Sequence, residues 1–255
     1  MISMLKVSSC AGAAALAVCL LAGPLASQAS ASSFNVNPTQ VFLTAKDTSA
    51  LITVRNESEE TLRFQLTAFA WDQSASGELM LAPTQDIVFY PALITLAPKE
   101  ERKVRVGRTT ATGDKEKTYR IFVEEMPPLE EAGANGVRML TKMGIPIFVR
   151  PGKETATATI SALERKGDVV KFSLSNGGTV HFVPQQITLK GMAGSNTVFE
   201  QKLDGWYVLA GGHRDFQAAI PKDTCAKVTS LLVEIAISSS RLNETLDTPS
   251  GACMP

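Results

Sequence analysis

The sequence predicts an all-β protein built as two antiparallel sandwiches joined by a short hinge. Three observations carry this expectation. Apolar and polar residues alternate with period two in short runs, turn residues punctuate the chain about every 8 to 12 positions, and no stretch keeps a helical period.

Val36, Pro38 and residues 41–43 open the first extended segment. Leu51-Ile52-Thr53-Val54 follows and stops at the turn residues Arg55-Asn56-Glu57. Residues 62–71 set Leu62, Phe64, Leu66 and Ala68 on one side and Arg63, Gln65 and Thr67 on the other, the pattern of a half-buried strand. Residues 87–90 end at Pro91, and 93–96 lead into the turn Ala97-Pro98-Lys99-Glu100. Lys103-Val104-Arg105-Val106 alternates again, residues 119–123 are rich in β-formers, and 137–149 close a first block of seven or eight strands. Pro151-Gly152-Lys153 reads as the hinge. Second-block strands are expected near 156–163, 169–175, 182–189, 197–201, 215–220 and 228–237, with Gly177-Gly178, residues 191–194 and Gly211-Gly212 at turns. The polar tail from Ser238 to Pro255 is expected to be irregular.

The chain has 255 residues, which allows one or two domains. At 44% hydrophobic and 20% charged it can fill a packed core. Its 25 basic and 25 acidic residues cancel, which excludes a nucleic-acid binder resting on bulk positive charge. Residues 1–31 read as a secretory signal peptide. Lys6 is the only charge, a small apolar run follows, and Ala29-Ser30-Ala31 forms the cleavage site. Gly12, Gly23 and Pro24 interrupt the run, and no later segment is long and apolar enough for stable membrane insertion. Cleavage would remove Lys6, Cys10 and Cys19 and leave a net charge of −1. It would also leave Cys225 and Cys253, an even pair in an oxidising compartment, for which a disulfide tying down the tail is the default.

A catalytic site is hard to assemble from this composition. The two histidines, His181 and His213, fall in different elements, and with the cysteines paired too few ligands remain for zinc. No G-x-S-x-G elbow precedes a helix, no glycine-rich phosphate loop occurs, and the acidic runs lack the spacing of a calcium loop. No metal, cofactor or enzymatic activity is expected. His181 is expected to make a structural hydrogen bond. One strand stands out. Val137, Met139, Thr141 and Met143 share one parity, Arg138, Leu140 and Lys142 the other, and an acidic, glycine-bearing loop precedes them. Such a strand is either an edge strand with basic gatekeepers or one whose apolar side chains are offered to a partner by β-augmentation.

Several stretches resemble the periplasmic pilus-assembly chaperones of the chaperone–usher pathway (PapD-like). They are Phe89-Tyr90-Pro91-Ala92-Leu93 with the turn through Glu100, Tyr119-Arg120-Ile121-Phe122-Val123-Glu124-Glu125-Met126-Pro127, Ile145-Pro146-Ile147-Phe148-Val149-Arg150-Pro151, and Leu174-Ser175-Asn176-Gly177-Gly178. The resemblance implies two immunoglobulin-like domains in an L-shaped arrangement, residues 32–150 with a donor G strand and 151–255 with the disulfide-tied tail. It implies a non-enzymatic chaperone that holds pilus subunits by donor-strand complementation and passes them to an outer-membrane usher. Carried over by position, the donor residues are Val137, Met139, Thr141 and Met143, and Glu125 with Arg150 resembles the family's ion pair between domains. The better-known branch anchors the subunit's terminal carboxylate with an arginine and a lysine, where this chain has Thr39 and Pro146. Arg120 is the candidate replacement, since a guanidinium suits a carboxylate; otherwise it is an exposed strand arginine. The departure resembles the archaic branch, whose subunits are spore-coat-U-like. A secreted two-domain adhesin or pilus subunit, and a β-sandwich hydrolase, share the composition. The first should lack a free donor strand beside a basic cleft, and the second needs an acid–base pair that the sequence does not show.

Overall fold

The computed structural model describes residues 33–128, 139–238 and 240–248. In the first sandwich one sheet runs β1 (Phe34–Asn37), β3 (Ser49–Asn56), β8 (Glu101–Arg108), β6 (Ile87–Tyr90). The facing sheet runs β2 (Val41–Leu43), β10 (Lys142–Val149), β9 (Lys117–Glu125), β4 (Leu62–Gln73), β5 (Leu79–Pro83), with β7 (Leu93–Leu96) also on β4. The pairing is antiparallel except between β2 and β10. The second sandwich pairs β11 (Ala158–Lys166), β12 (Val169–Asn176) and β15 (His213–Ala219) in one sheet. Its other sheet runs β14 (Asn196–Leu203), β13 (Gln186–Ala193), β16 (Ser230–Ile237), β17 (Ser240–Asp247).

Alternation builds both cores. Ile52 and Val54 on β3, Val104 and Val106 on β8, Ile121 and Val123 on β9, and Ile145 and Ile147 on β10 all point into the first. Phe172, Leu174, Leu231, Val233 and Ile235 belong to the second. Each such side chain contributes about 1.5–3 kcal/mol when fully buried. A third, small cluster of Trp71, Phe148, Tyr207 and Leu209 joins residues of the two sandwiches.

The structure corrects four sequence expectations. The first block has ten strands: the first expected segment divides into β1 and β2, and β5 carries no alternation to betray it, all five of its residues being exposed. The strand expected at 182–189 begins at Gln186, and Phe182 makes only an isolated bridge to Val208. A single helical turn, α1 (Lys222–Cys225), occurs where no helix was expected. The polar tail is not irregular as far as Asp247: β17 pairs with β16 along its whole length, the ladder supplying what its exposed side chains do not.

Candidate functional site

Strand β10 is buried at one end and open at the other. Its odd residues Ile145, Ile147 and Val149 lie in the first core, and Met143 packs partly against it. The strand expected to begin at 137 begins at Lys142, and the same sequence parity places Thr141 and Met139 just ahead of it, both exposed, Met139 at 64%. Val137, at the far end of that series, lies outside the described residues. The ladder is one-sided over the same stretch. β9 pairs with β10 from Lys142 to Val149, whereas β2 covers only Ile147, Phe148 and Val149. Among the described residues, the other backbone edge from Lys142 to Pro146 has no strand beside it.

The even residues of β10 face away from the core. In register with them across β9 and β4, Lys142 lies opposite Glu124, Gly144 opposite Phe122, Pro146 opposite Arg120 and Phe148 opposite Thr118. Lys142 pairs with Glu124 at 2.8 Å and sits 4.8 Å over the Phe122 ring. A Cβ at Gly144 would come within 2.8 Å of that ring, so a larger residue here would force the ring to shift. At the other end residues of the second sandwich cover the face: Phe148 stacks on His181 at 3.9 Å, and Tyr207 meets Trp71 edge-on at 5.3 Å. Arg120 stands at the boundary between the open and covered halves.

The Arg120 guanidinium lies 4.4 Å over the Trp71 ring and is half-buried. Its Nε has no hydrogen-bond partner, and no carboxylate pairs with it among the described residues. Burial lowers its pKa from the ordinary arginine value, with Tyr207 opposing that shift. Burial pushes the Tyr207 hydroxyl up, while Arg120 and a hydrogen bond from Gln40 pull against it. An unpaired, partly desolvated guanidinium stacked on an aromatic ring suits a planar anion.

Glu125 and Arg150 are not brought together, which corrects the expected ion pair. Glu125 is opposite Thr141, whose N–H donates to its Oε2 at 3.3 Å, while Arg150 follows the opposite end of β10. Arg150 pairs with Glu154 at 2.9 Å and stacks on Phe42 at 4.2 Å. The polar link between the sandwiches is elsewhere. Glu116, buried on the first, takes the His181 N–H at 3.1 Å and lies 2.6 Å from His181 Nδ1, so His181 does make a structural hydrogen bond. Gln40 donates to the Tyr207 hydroxyl at 2.7 Å. Sequence reasoning missed Trp71, Tyr207 and Gln40. The only signal was the adjacency of Gln40 to the altered position Thr39, and of Tyr207 to Trp206. Cys225 is buried on α1, and Cys253 lies outside the described residues. Among the described residues no group of three His, Cys, Asp or Glu side chains could hold a metal ion.

Residues 33–154 match the family model for pili and flagellar-assembly chaperones, PapD N-terminal domain. The chain is similar to several solved structures. It is 16% identical to the class 5 fimbriae chaperone CfaA, with a TM-score of 0.55 over 85% of this chain and 100% of that one. Against a chain of the CsuC–CsuE chaperone–tip adhesion subunit pre-assembly complex, from archaic chaperone-usher Csu pili of Acinetobacter baumannii, the figures are 18%, 0.56, 84% and 97%. Against the E. coli chaperone DraB they are 16%, 0.54, 84% and 99%. No curated protein matches the sequence.

Proposed function

We propose that this chain, PapD-like in sequence over residues 33–154 and in fold across both sandwiches, is a periplasmic pilus-assembly chaperone that binds pilin or tip-adhesin subunits by strand addition. Strand β10 is the observation that carries this conclusion. Its core-facing residues are preceded in the chain by the exposed Met139 and Thr141, and one of its backbone edges is left open. A strand so placed can complete a sandwich that lacks one, the ladder giving affinity and alternate side chains giving specificity. Val137, Met139, Thr141 and Met143 are the donor residues. Arg120 anchors the subunit's terminal carboxylate. The domains are 32–150 and 151–255, released from a signal peptide at 1–31, and Cys225 bonds with Cys253 to hold the tail. The loaded chaperone hands its subunit to an outer-membrane usher. The absence of a cation at Thr39 and Pro146, with the likeness to an archaic Csu complex, supports the archaic branch and a spore-coat-U-like subunit.

The test is periplasmic co-expression of the mature chain with the pilin encoded beside it. Wild type should co-purify soluble pilin. Met139 has most of its side chain still to bury, out of about 1.5–3 kcal/mol for complete burial. Met139→Ala should therefore weaken the complex roughly 5- to 30-fold, at 1.4 kcal/mol per decade. Met139→Asp should abolish it, since an unpaired carboxylate would enter an apolar groove. Because Met139 is exposed in the free protein, neither change should lower its melting temperature. Equal recovery with Met139→Asp would refute donation by this strand.

A further inference from the structure

At the Arg120 boundary two donors have no acceptor among the described residues, and a third has a hydrogen still to give. The Arg120 guanidinium is unpaired, with Nε buried and partnerless. Trp71 is 2% exposed, and its indole Nε1–H, a pure donor, has no acceptor among the described residues. The third is Tyr207, 7% exposed, from the second sandwich. Gln40 Nε2 donates to the Tyr207 oxygen at 2.7 Å, which occupies an acceptor position of the hydroxyl and leaves its own hydrogen to be given elsewhere. A tyrosine that receives from an amide and lies beside a cation is set up as a donor to an anion. Buried donors without acceptors are costly, so a cluster of them marks a place where an acceptor is expected.

We infer that Tyr207 is the second donor of the carboxylate anchor, so that the subunit's terminus is gripped by both sandwiches at once. Arg120 supplies the charge from the first, Tyr207 the hydroxyl hydrogen from the second, and Gln40 is a positioning residue that fixes which way that hydrogen points. This rests on the anchor role proposed for Arg120 and deepens it. It also ties binding to the contact between the sandwiches. Trp71, Phe148 and Tyr207 form one small cluster there, so a shift of the second sandwich that withdraws Tyr207 would loosen the bound terminus.

The experiment uses the whole mature chaperone and a synthetic peptide of the last fifteen residues of the co-encoded pilin, as free acid and as C-terminal amide. The readout is the ratio of the two dissociation constants. Wild type should favour the acid. Tyr207→Phe keeps the ring and should cut the ratio about tenfold, as expected for a hydrogen bond to a charged group, while leaving the amide's affinity unchanged. Gln40→Met should cut it less, and nothing further when combined with Tyr207→Phe. Arg120→Ala should abolish the preference. If Arg120→Ala abolishes it and Tyr207→Phe does not change it, the anchor stands and the role of Tyr207 is overturned. If Gln40→Met and Tyr207→Phe act additively, the positioning role of Gln40 is overturned. If wild type binds acid and amide equally, the carboxylate anchor itself is wrong.

Discussion

Replacing Asn176 by alanine should destabilise the second sandwich by about 2–6 kcal/mol, and the figure follows from counting the partners that it leaves behind. Asn176 ends β12 at 2% exposure. Its Nδ2 donates to Val180 O at 2.9 Å and Val208 O at 3.0 Å, and its Oδ1 accepts the Gly178 N–H at 2.9 Å. Val208 O keeps the Phe182 N–H at 3.2 Å, so Val180 O and Gly178 N–H are the two groups that lose their partner. Each orphan costs about 1–3 kcal/mol, and a domain of this size loses roughly 4–8 °C per kcal/mol. Differential scanning calorimetry should therefore show the second sandwich melting about 8 °C or more below wild type, taking about 2 kcal/mol as the floor. Asn176→Asp keeps the acceptor but turns a carboxylate toward two carbonyls, and should do no better. The first sandwich uses the same device. Asn56, at the end of β3, donates to Glu60 O, Leu96 O and Ala97 O and accepts from Ser58. Asn56→Ala should lower the melting of that sandwich comparably. A loss under about 1 kcal/mol in both variants would mean that backbone relaxation re-pairs the orphans, and that the turns do not depend on their asparagines.

Two further outcomes follow from close packing and burial. Gly178→Ala would bring a Cβ within 2.2 Å of Thr155 O, a backbone atom, so urea unfolding should show a loss of at least about 1–3 kcal/mol, and an unchanged midpoint would contradict that contact. Of the three tyrosines, Tyr119 is held above the ordinary phenol value by burial and by donating to Asp86 at 2.7 Å, and Tyr207 is raised by burial. Both raised values favour the protonated hydroxyl in the fold. The stability they confer is complete below about pH 10, the unfolded tyrosine value, and is lost as pH rises through the folded value. An ultraviolet titration should show two phenols ionising late, and Tyr119→Phe should remove one of them.

Strong alternation made much of this fold legible in the sequence. Residues 62–71, 103–106 and 145–149 each carry a period-two signal, because one face of each strand meets a core. β5 and β17 stayed hidden for the opposite reason. Leu79-Met80-Leu81-Ala82-Pro83 is apolar without alternation, and the polar run of β17 is held by its ladder with β16, which no local pattern records. The site divides in the same way. Met143 could be placed against the first core by parity, and Met139 and Thr141 remain donor residues by proposal. Tyr207 could not, because its relation to Arg120 arises only where the two sandwiches meet. The supposed Glu125–Arg150 pair failed for want of register: two residues on adjacent motifs of the sequence proved to lie at opposite ends of one ladder.

The register also gives the proposed anchor a physical basis where neither of the two usual cations is present. Position 146 on β10, where the resemblance calls for lysine, is a buried proline, and its partner across the ladder is Arg120. A positive charge has in effect moved one strand over at the same height of the sheet. Position 39, where an arginine is expected, is an exposed threonine, and its neighbour Gln40 holds Tyr207. Each lost cation thus adjoins one of the groups proposed to replace it. The exchange is not neutral. Arginine and lysine together would give two charges from the first sandwich alone, whereas Arg120 with Tyr207 gives one charge and one neutral donor taken from both. Attraction at a distance is weaker in such a site, and geometry counts for more. Binding of the subunit's terminus should accordingly depend less on ionic strength than a two-cation anchor would, and more on how firmly Trp71, Phe148 and Tyr207 keep the sandwiches in contact.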